Sequence, residues 1–156
     1  MMLTAKQYEA IGRLTLAFNE IDFTIQTFTP HFLGAQEWSV SVLLAEERTF
    51  HRKADRLKSI LQTITEERPQ FGPNVAIVLE LLAKAKLVAK DRNKYVHAMV
   101  VHDFKTNVTR IRMPEGLVDC DASAIITVAQ KASVLARKLD DACGDLYMLL
   151  SKARTE

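Results

Sequence analysis

The chain has 156 residues, of which 48% are hydrophobic and 26% are charged, and its formal net charge is +2. This length fits one domain, residues 1–156, with a full hydrophobic core, and five glycines and four prolines are too few for a turn-rich β fold. The small net charge gives no reason, taken alone, to assign the chain to nucleic-acid or membrane binding.

The sequence shows no sign of a signal peptide, a membrane-spanning segment or a cofactor site. The first residues lack the apolar core of a signal peptide, and no apolar run is long enough to cross a bilayer, so we expect a cytoplasmic protein without membrane contact. Cys120 and Cys143 match no metal-ligand spacing, and we expect two free thiols in a reducing compartment. No metal or other cofactor is expected.

The first predicted helix begins at a capping box formed by Thr4 and Gln7. Its apolar residues then repeat every three or four positions, as in helix bundles: Ile11, Leu14, Phe18, Ile21, Ile25 and Phe28. We expect Thr29-Pro30 to end this helix, because proline cannot donate the backbone hydrogen bond, and Gly34 to lie in the connection.

Two more amphipathic helices are predicted in the middle of the chain. The second begins near Glu37 or Ser39 and continues to Ile64, with Glu47 as the one interruption of its apolar stripe. The segment Arg68–Pro73 ends it, and the third helix extends from about Asn74, as N-cap, to about His97.

After the third helix the hydrophobic period changes to that of strands. Val100 to Phe104 and Val108 to Met113 predict a short β-hairpin, and Asp119 or Asp121 then caps a last long helix. The apolar stripe predicted for this last helix is Ile125, Ala129, Ala132, Ala136, Leu139, Cys143, Leu146 and Leu150. The predicted fold class is therefore all-α: an antiparallel four-helix bundle with a short β-hairpin between the third and last helices.

An arginine interrupts the apolar stripe of the third helix. The stripe Val78, Leu82, Ala85 and Ala89 continues at Arg92. A guanidinium in a core position is costly unless it is paired or opens onto a wet cleft. If consecutive helices pack antiparallel about their connecting turns, Asp22 and Glu47 lie at the same level along the bundle as Arg92. A satisfied ion pair is then one interpretation of Arg92, and a functional cleft is the other.

The segment Arg92-Asn93-Lys94-Tyr95-Val96-His97 resembles the R-x4-6-H motif of the HEPN superfamily of helical ribonucleases and nucleotide-binding domains. In that family an asparagine, aspartate or histidine often follows the arginine, as Asn93 does. HEPN domains are helical bundles with the motif near the end of a late helix, and some groups continue with a short hairpin and a final helix.

This resemblance implies metal-independent RNA cleavage, in which a ribose 2′-hydroxyl attacks the adjacent phosphate. Arg92 and His97 would be catalytic, since arginine binds phosphate with a planar fork of donors and histidine exchanges protons near neutral pH. Asn93 would support them. The family's upstream acidic residue is matched here by Asp22, Glu20 or Glu47, without a choice among them.

The resemblance also implies partners. HEPN domains typically form homodimers in which two motifs share one cleft, and a toxin or RNA-defence role would add an antitoxin protein. Four basic residues on or after the motif are candidates for holding RNA phosphates, although a solvated hairpin edge explains them equally well: Lys94, Lys105, Arg110 and Arg112. The alternative function is a non-catalytic helical module for binding or assembly.

Overall fold

The computed structural model describes residues 3–34, 49–97, 99–103, 105–113 and 116–155. Most of these residues belong to four helices: α1 (Ala5–Leu33), α2 (Phe50–Glu67), α3 (Gly72–Val96) and α4 (Ala122–Thr155). The strands β1 (Met99–Asp103), β2 (Val108–Met113) and β3 (Gly116–Asp119) form one antiparallel sheet in that order. The prediction of a mainly helical protein is confirmed.

Helix α1 begins as predicted and ends later than predicted. The Gln7 N–H donates to Thr4 Oγ1 at 3.3 Å and the Thr4 N–H donates to Gln7 Oε1 at 2.8 Å, which completes the capping box. The helix continues through Pro30 to Leu33, and Gly34 caps it in the left-handed region with φ 65°. Burial of Phe32 in the core offsets the hydrogen bond that Pro30 cannot make.

The sequence pattern predicted a second helix that continues without a break through residue 49, and this prediction is wrong. Thr49 has extended backbone, and its side chain accepts the Arg52 N–H, so it is the N-cap of a helix that begins at Phe50. The predicted start near Glu37 or Ser39, and Glu47 itself, lie outside the described residues. Helix α3 begins at Gly72, two residues before the predicted cap, after a 3-10 turn at Pro69–Phe71.

The described contacts fix the helix directions. Asp22 of α1 meets Lys53 of α2, one turn after the Phe18–Phe50 contact, so α1 and α2 run parallel. Thr24 donates a hydrogen bond to Asp140, and the ring of His31 lies against that of Tyr147. Because both partners advance by seven residues between these contacts, α4 also runs parallel to α1. Helix α3 runs antiparallel to the other three. The expected antiparallel order of the first two predicted helices therefore does not apply to α1 and α2, because Thr49 starts a new helix beside Phe18.

The core confirms the predicted stripe of α4. Its eight residues are all buried: Ile125, Ala129, Ala132, Ala136, Leu139, Cys143, Leu146 and Leu150. Small residues in this stripe allow α1 and α3 to approach α4 closely. Burial raises the pKa of the Cys143 thiol to about 12, with a further contribution from Asp140, so this thiol is neutral and unreactive at physiological pH.

The sheet contains the two predicted strands and a third that was not predicted. Ile111 of β2 is buried against the start of α1 and α4, while Arg110 and Arg112 alternate onto the opposite, outer face. In the turn before β2, the Thr106 hydroxyl and the Lys105 N–H donate to Asp103 and hold the pKa of that carboxyl below its usual value. Asp121 caps α4 by accepting the Ser123 N–H, as one of the two predicted alternatives.

Candidate functional site at the end of α3

The C-terminus of α3 places a histidine at the edge of the fold. The helix ends at Val96, and His97 is its C-cap with φ −107° and ψ 2°. The His97 N–H still donates to the Asn93 carbonyl at 3.2 Å, so the backbone leaves the helix only after this residue. His97 and Asn93 are both exposed, and both are therefore accessible to a ligand.

Arg92 joins these two residues. Its Nη1 atom lies 3.0 Å from Asn93 Oδ1 and 3.2 Å from His97 Nε2. On an ideal helix, residues 92 and 97 would point about 140° apart. The long arginine side chain and the end of the helix at Val96 overcome that separation. The structure thus brings together the three residues of the predicted motif.

The contact has one chemically consistent assignment of donor and acceptor. A guanidinium nitrogen can only donate, so a hydrogen bond here requires His97 Nε2 to accept. An imidazole that accepts at Nε2 carries its proton on Nδ1. The structure thus directs the Nε2 atom of His97 at Arg92.

An aromatic ring supports the guanidinium from the side of the core. Arg92 Cζ lies 5.4 Å from the centroid of the Phe18 ring, within the range of a cation–π contact, and Phe50 packs edge-on against Phe18 at 4.8 Å. This contact explains why an arginine occupies an apolar stripe. The sequence pattern predicted Phe18 only as a core residue of α1. Its second role, contact with the Arg92 guanidinium, could have been predicted from its position at the same level along the bundle as Arg92.

One nitrogen of Arg92 has no partner among the described residues. Its Nε atom is buried and makes no hydrogen bond to them. In the described part of the chain, no carboxylate forms an ion pair with Arg92. Buried donors are nearly always satisfied in folded proteins. The guanidinium is therefore held by neutral groups, and its charge is not balanced by a described acid.

Asp22 does not support Arg92, contrary to expectation. Its carboxylate accepts from Lys53 Nζ at 2.8 and 3.1 Å and from Gln26 Nε2 at 2.6 Å. Asp22 lies four residues, about one helical turn, after Phe18, which contacts Arg92. A nearer cation, Lys53, takes the carboxylate.

Of the other two acidic candidates, only Glu20 belongs to the described residues. Glu20 is exposed and lines a groove between α1 and α4 with Thr24 and Asp140, and it makes no described ion pair with Arg92. Glu47 lies outside the described residues. The upstream acid of the motif is thus unassigned among residues 3–34 and 49–97.

The four predicted RNA-binding residues differ in availability. Lys94 pairs with Asp91 at 2.9 Å, and Arg110 Nε bonds Asp119 at 3.2 Å. Arg112 is exposed on the outer face of β2, and no ion pair of the described residues includes it. It pairs across the sheet with Met99, which follows His97 by two residues in the chain. Lys105 lies in the exposed turn at the far end of the hairpin. Arg112 is therefore the available cation nearest to the motif along the sheet.

Comparison with known proteins gives no further assignment. No model of a protein family, no curated protein and no solved structure matches the chain. In the described residues, no group of three His, Cys, Asp or Glu side chains is placed to hold a metal ion. Nor does any described helix have the length and apolar character needed to cross a membrane.

Proposed function

We propose that this chain is a metal-independent endoribonuclease of the HEPN type, with Arg92 and His97 as catalytic residues and Asn93 as their support. The observation that carries the proposal is the 3.2 Å contact between Arg92 Nη1 and the Nε2 atom of an exposed His97. A phosphate-binding fork and a proton acceptor thus stand side by side at the surface.

The proposed reaction is an internal transfer at phosphorus. His97 Nε2 takes the proton of a ribose 2′-hydroxyl, the 2′-oxygen bonds to the adjacent phosphorus, and the bond from phosphorus to the 5′-oxygen breaks. The 5′-oxygen takes up a proton, so the products are a 2′,3′-cyclic phosphate and a 5′-hydroxyl. Arg92 stabilises the charge that develops on the non-bridging oxygens. Arg112 holds a neighbouring phosphate, with Lys105, Arg110 and Lys94 as further contacts.

We further propose a homodimer in which two copies of the motif face one cleft, so that the second His97, starting in its protonated imidazolium form, can donate the proton to the leaving oxygen. The unbalanced charge of Arg92 supports this arrangement, because an arginine at the end of an apolar stripe fits an interface better than an isolated surface. Sedimentation at micromolar concentration should then give a dimer, and a monomer throughout that range would contradict the shared cleft.

The HEPN-type antiparallel bundle with a hairpin belongs to the same proposal. The antiparallel packing of α3 against α2 and α4 supports it, as do strands β1 and β2 directly after the motif. The parallel pair α1 and α2 does not. We propose an RNA-defence or toxin role in the cytoplasm, with an antitoxin protein as partner, on the resemblance of the motif.

One observation favours the rival function, a non-catalytic binding or assembly module. Arg92 donates to both Asn93 and His97, so the three side chains partly satisfy one another without a substrate. In that case the trio would stabilise the end of α3, and removal of His97 would lower thermal stability rather than an activity.

Cleavage of a single-stranded RNA in the presence of EDTA tests the choice. His97→Ala should lower the rate by about 10²- to 10⁴-fold, which is the usual contribution of a general base, and leave helix content unchanged. His51→Ala, at an exposed position on α2, is the matched control. A cyclic phosphate on the product and no cleavage of the 2′-deoxy strand would support the reaction. Equal rates for His97→Ala and the wild-type protein would contradict it.

A further inference from the structure

A groove between α3 and α4 contains none of the proposed catalytic residues. It has a volume of about 510 Å³ and is lined by residues of these two antiparallel helices. Its floor is apolar and is formed by Leu81, Val88 and Leu135, while Val134 projects at its edge with 45% of its surface exposed. An exposed apolar channel of this kind is a frequent mark of a binding surface.

The dimensions of the groove fit a helix. On α4 its lining extends from Thr127 to Lys138, which corresponds to about 16 Å or three helical turns. Two helices that lie side by side leave a furrow in which a third helix can bury one apolar stripe. A segment of about twelve residues would therefore fill the groove from end to end.

The charges around the groove determine which helix fits. Its charged lining residues are three lysines, Lys84, Lys131 and Lys138, and no carboxylate lines it among the described residues. Lys84 pairs with Glu80 on the outside of α3, whereas no described ion pair includes Lys131 or Lys138. We propose that this groove, the lysine groove, binds an acidic amphipathic helix of a partner protein. Carboxylates flanking its apolar stripe would meet Lys131 and Lys138.

The groove on the other side of α4 shows the contrast. Between α1 and α4 the lining includes Glu20, Asp140 and Asp141, with Arg137 as the one cation. An acidic helix would be repelled there and attracted at the lysine groove. The sign of the charge thus selects one side of α4 for this partner. If a second copy of the chain occupied the lysine groove instead, it would bind through its own acidic groove between α1 and α4.

The test uses a synthetic helical peptide of about twelve residues with leucines on one face and glutamates on both flanks. A second peptide carries lysine at every glutamate position. Fluorescence anisotropy with the full chain should show the acidic peptide binding at least about tenfold more tightly than the basic one. The double variant Lys131→Glu/Lys138→Glu should reverse this preference.

A matched double variant, Lys6→Glu/Lys58→Glu, makes the same change in net charge at exposed positions outside the groove and should keep the preference. Val134→Asp should weaken binding of either peptide, because it places a charge at the apolar edge. Absence of binding up to about 1 mM acidic peptide, or equal binding of both peptides, would overturn the proposal. Self-association or binding to anionic vesicles that is lost in the Lys131/Lys138 variant would also overturn it, in favour of a second copy or a membrane.

Discussion

Two polar sites lie about one turn apart along α1, and they are built differently. At the first, the Asp22 carboxylate accepts from Lys53 and Gln26, and opposite charges balance. At the second, Arg92 rests on the Phe18 ring, contacts the Asn93 and His97 side chains, and has one buried nitrogen with no partner among the described residues. At the first site the charges balance between described residues, whereas no described carboxylate pairs with Arg92 at the second.

Under the proposed function, the difference would separate a structural role from a functional one. A charge whose counter-ion belongs to the same fold contributes to holding two helices together. A cation held in place by an aromatic ring and neutral acceptors would instead bind an anion from outside, which the proposal takes to be an RNA phosphate. Proximity in height along the helices was therefore insufficient to predict which residues pair.

The largest effect is expected at the open site. Arg92→Met should lower RNA cleavage by about 10²- to 10³-fold, the usual cost of losing one group that stabilises the transition state. Arg92→Lys should restore little, because an ammonium lacks the planar fork. The free energy of unfolding should change by less than about 1 kcal/mol, since no described carboxylate is left unpaired. Parallel cleavage assays and urea titrations check this.

Arg52→Met, at an exposed arginine of α2, is the control for Arg92→Met. A loss of about 3 kcal/mol or more in the Arg92 variant would identify a buried ion-pair partner and would remove the contrast between the two sites.

The second expected effect is on stability at the closed site. Lys53→Met should lower the free energy of unfolding by about 1–3 kcal/mol, because the pair is neither fully buried nor fully exposed. Its side chains are 12% and 24% exposed for Lys53 and Asp22. Lys58→Met on the solvent face is the comparison, and urea titration is the measurement. Loss of RNA cleavage as great as that of Arg92→Met would show that the two sites act as one.

The same contrast recurs in the sheet on a smaller scale. Arg110 has a carboxylate partner in Asp119, whereas Arg112 has none among the described residues. Arg112→Ala should reduce the slope of log affinity against log salt by about 0.7, as expected for one phosphate contact to a single strand. Arg110→Ala should reduce it less. Filter binding of RNA to cleavage-deficient His97→Ala protein at several salt concentrations tests this, and an equal change for both would mean that Asp119 gives way to RNA.

The smallest expected effect is the coupling free energy between Arg92 and Asp22, which should be near zero. Crossing Arg92→Met with Asp22→Asn in a double-mutant cycle should give additive effects on unfolding, within about 0.5 kcal/mol. Crossing Lys53→Met with Asp22→Asn should give a coupling above about 1 kcal/mol. A substantial coupling between Arg92 and Asp22 would show that the two sites share the carboxylate in solution.

Local rules predicted the parts of the fold that depend on short sequence patterns. The capping box at Thr4, the cap at Asp121 and the buried stripe of α4 each follow from residues three or four positions apart. Pro30 and Thr49 were misjudged because their outcome depends on tertiary contacts, namely burial of Phe32 and the packing of Phe50 on Phe18. Strand β3 was missed because its four residues are all exposed and show no alternation.

The candidate site was predictable in composition and less so in arrangement. Arg92, Asn93 and His97 are brought together by residues close in sequence and by the end of one helix. The roles of Asp22 and Phe18 depend on α1 and α2 running parallel, which short connections and apolar periods do not reveal. Competition between two cations for one carboxylate is likewise absent from the sequence pattern.

The bond from Arg92 to His97 also gives the proposed enzyme a resting state. One nitrogen lone pair cannot accept a hydrogen from Arg92 and a proton from a ribose hydroxyl at the same time. In the proposed reaction the guanidinium would first turn from His97 to a phosphate, and arrival of the substrate would thereby release the base. A nucleoside that has the 2′-hydroxyl but no phosphate would leave this latch closed, and the protein would not take its proton.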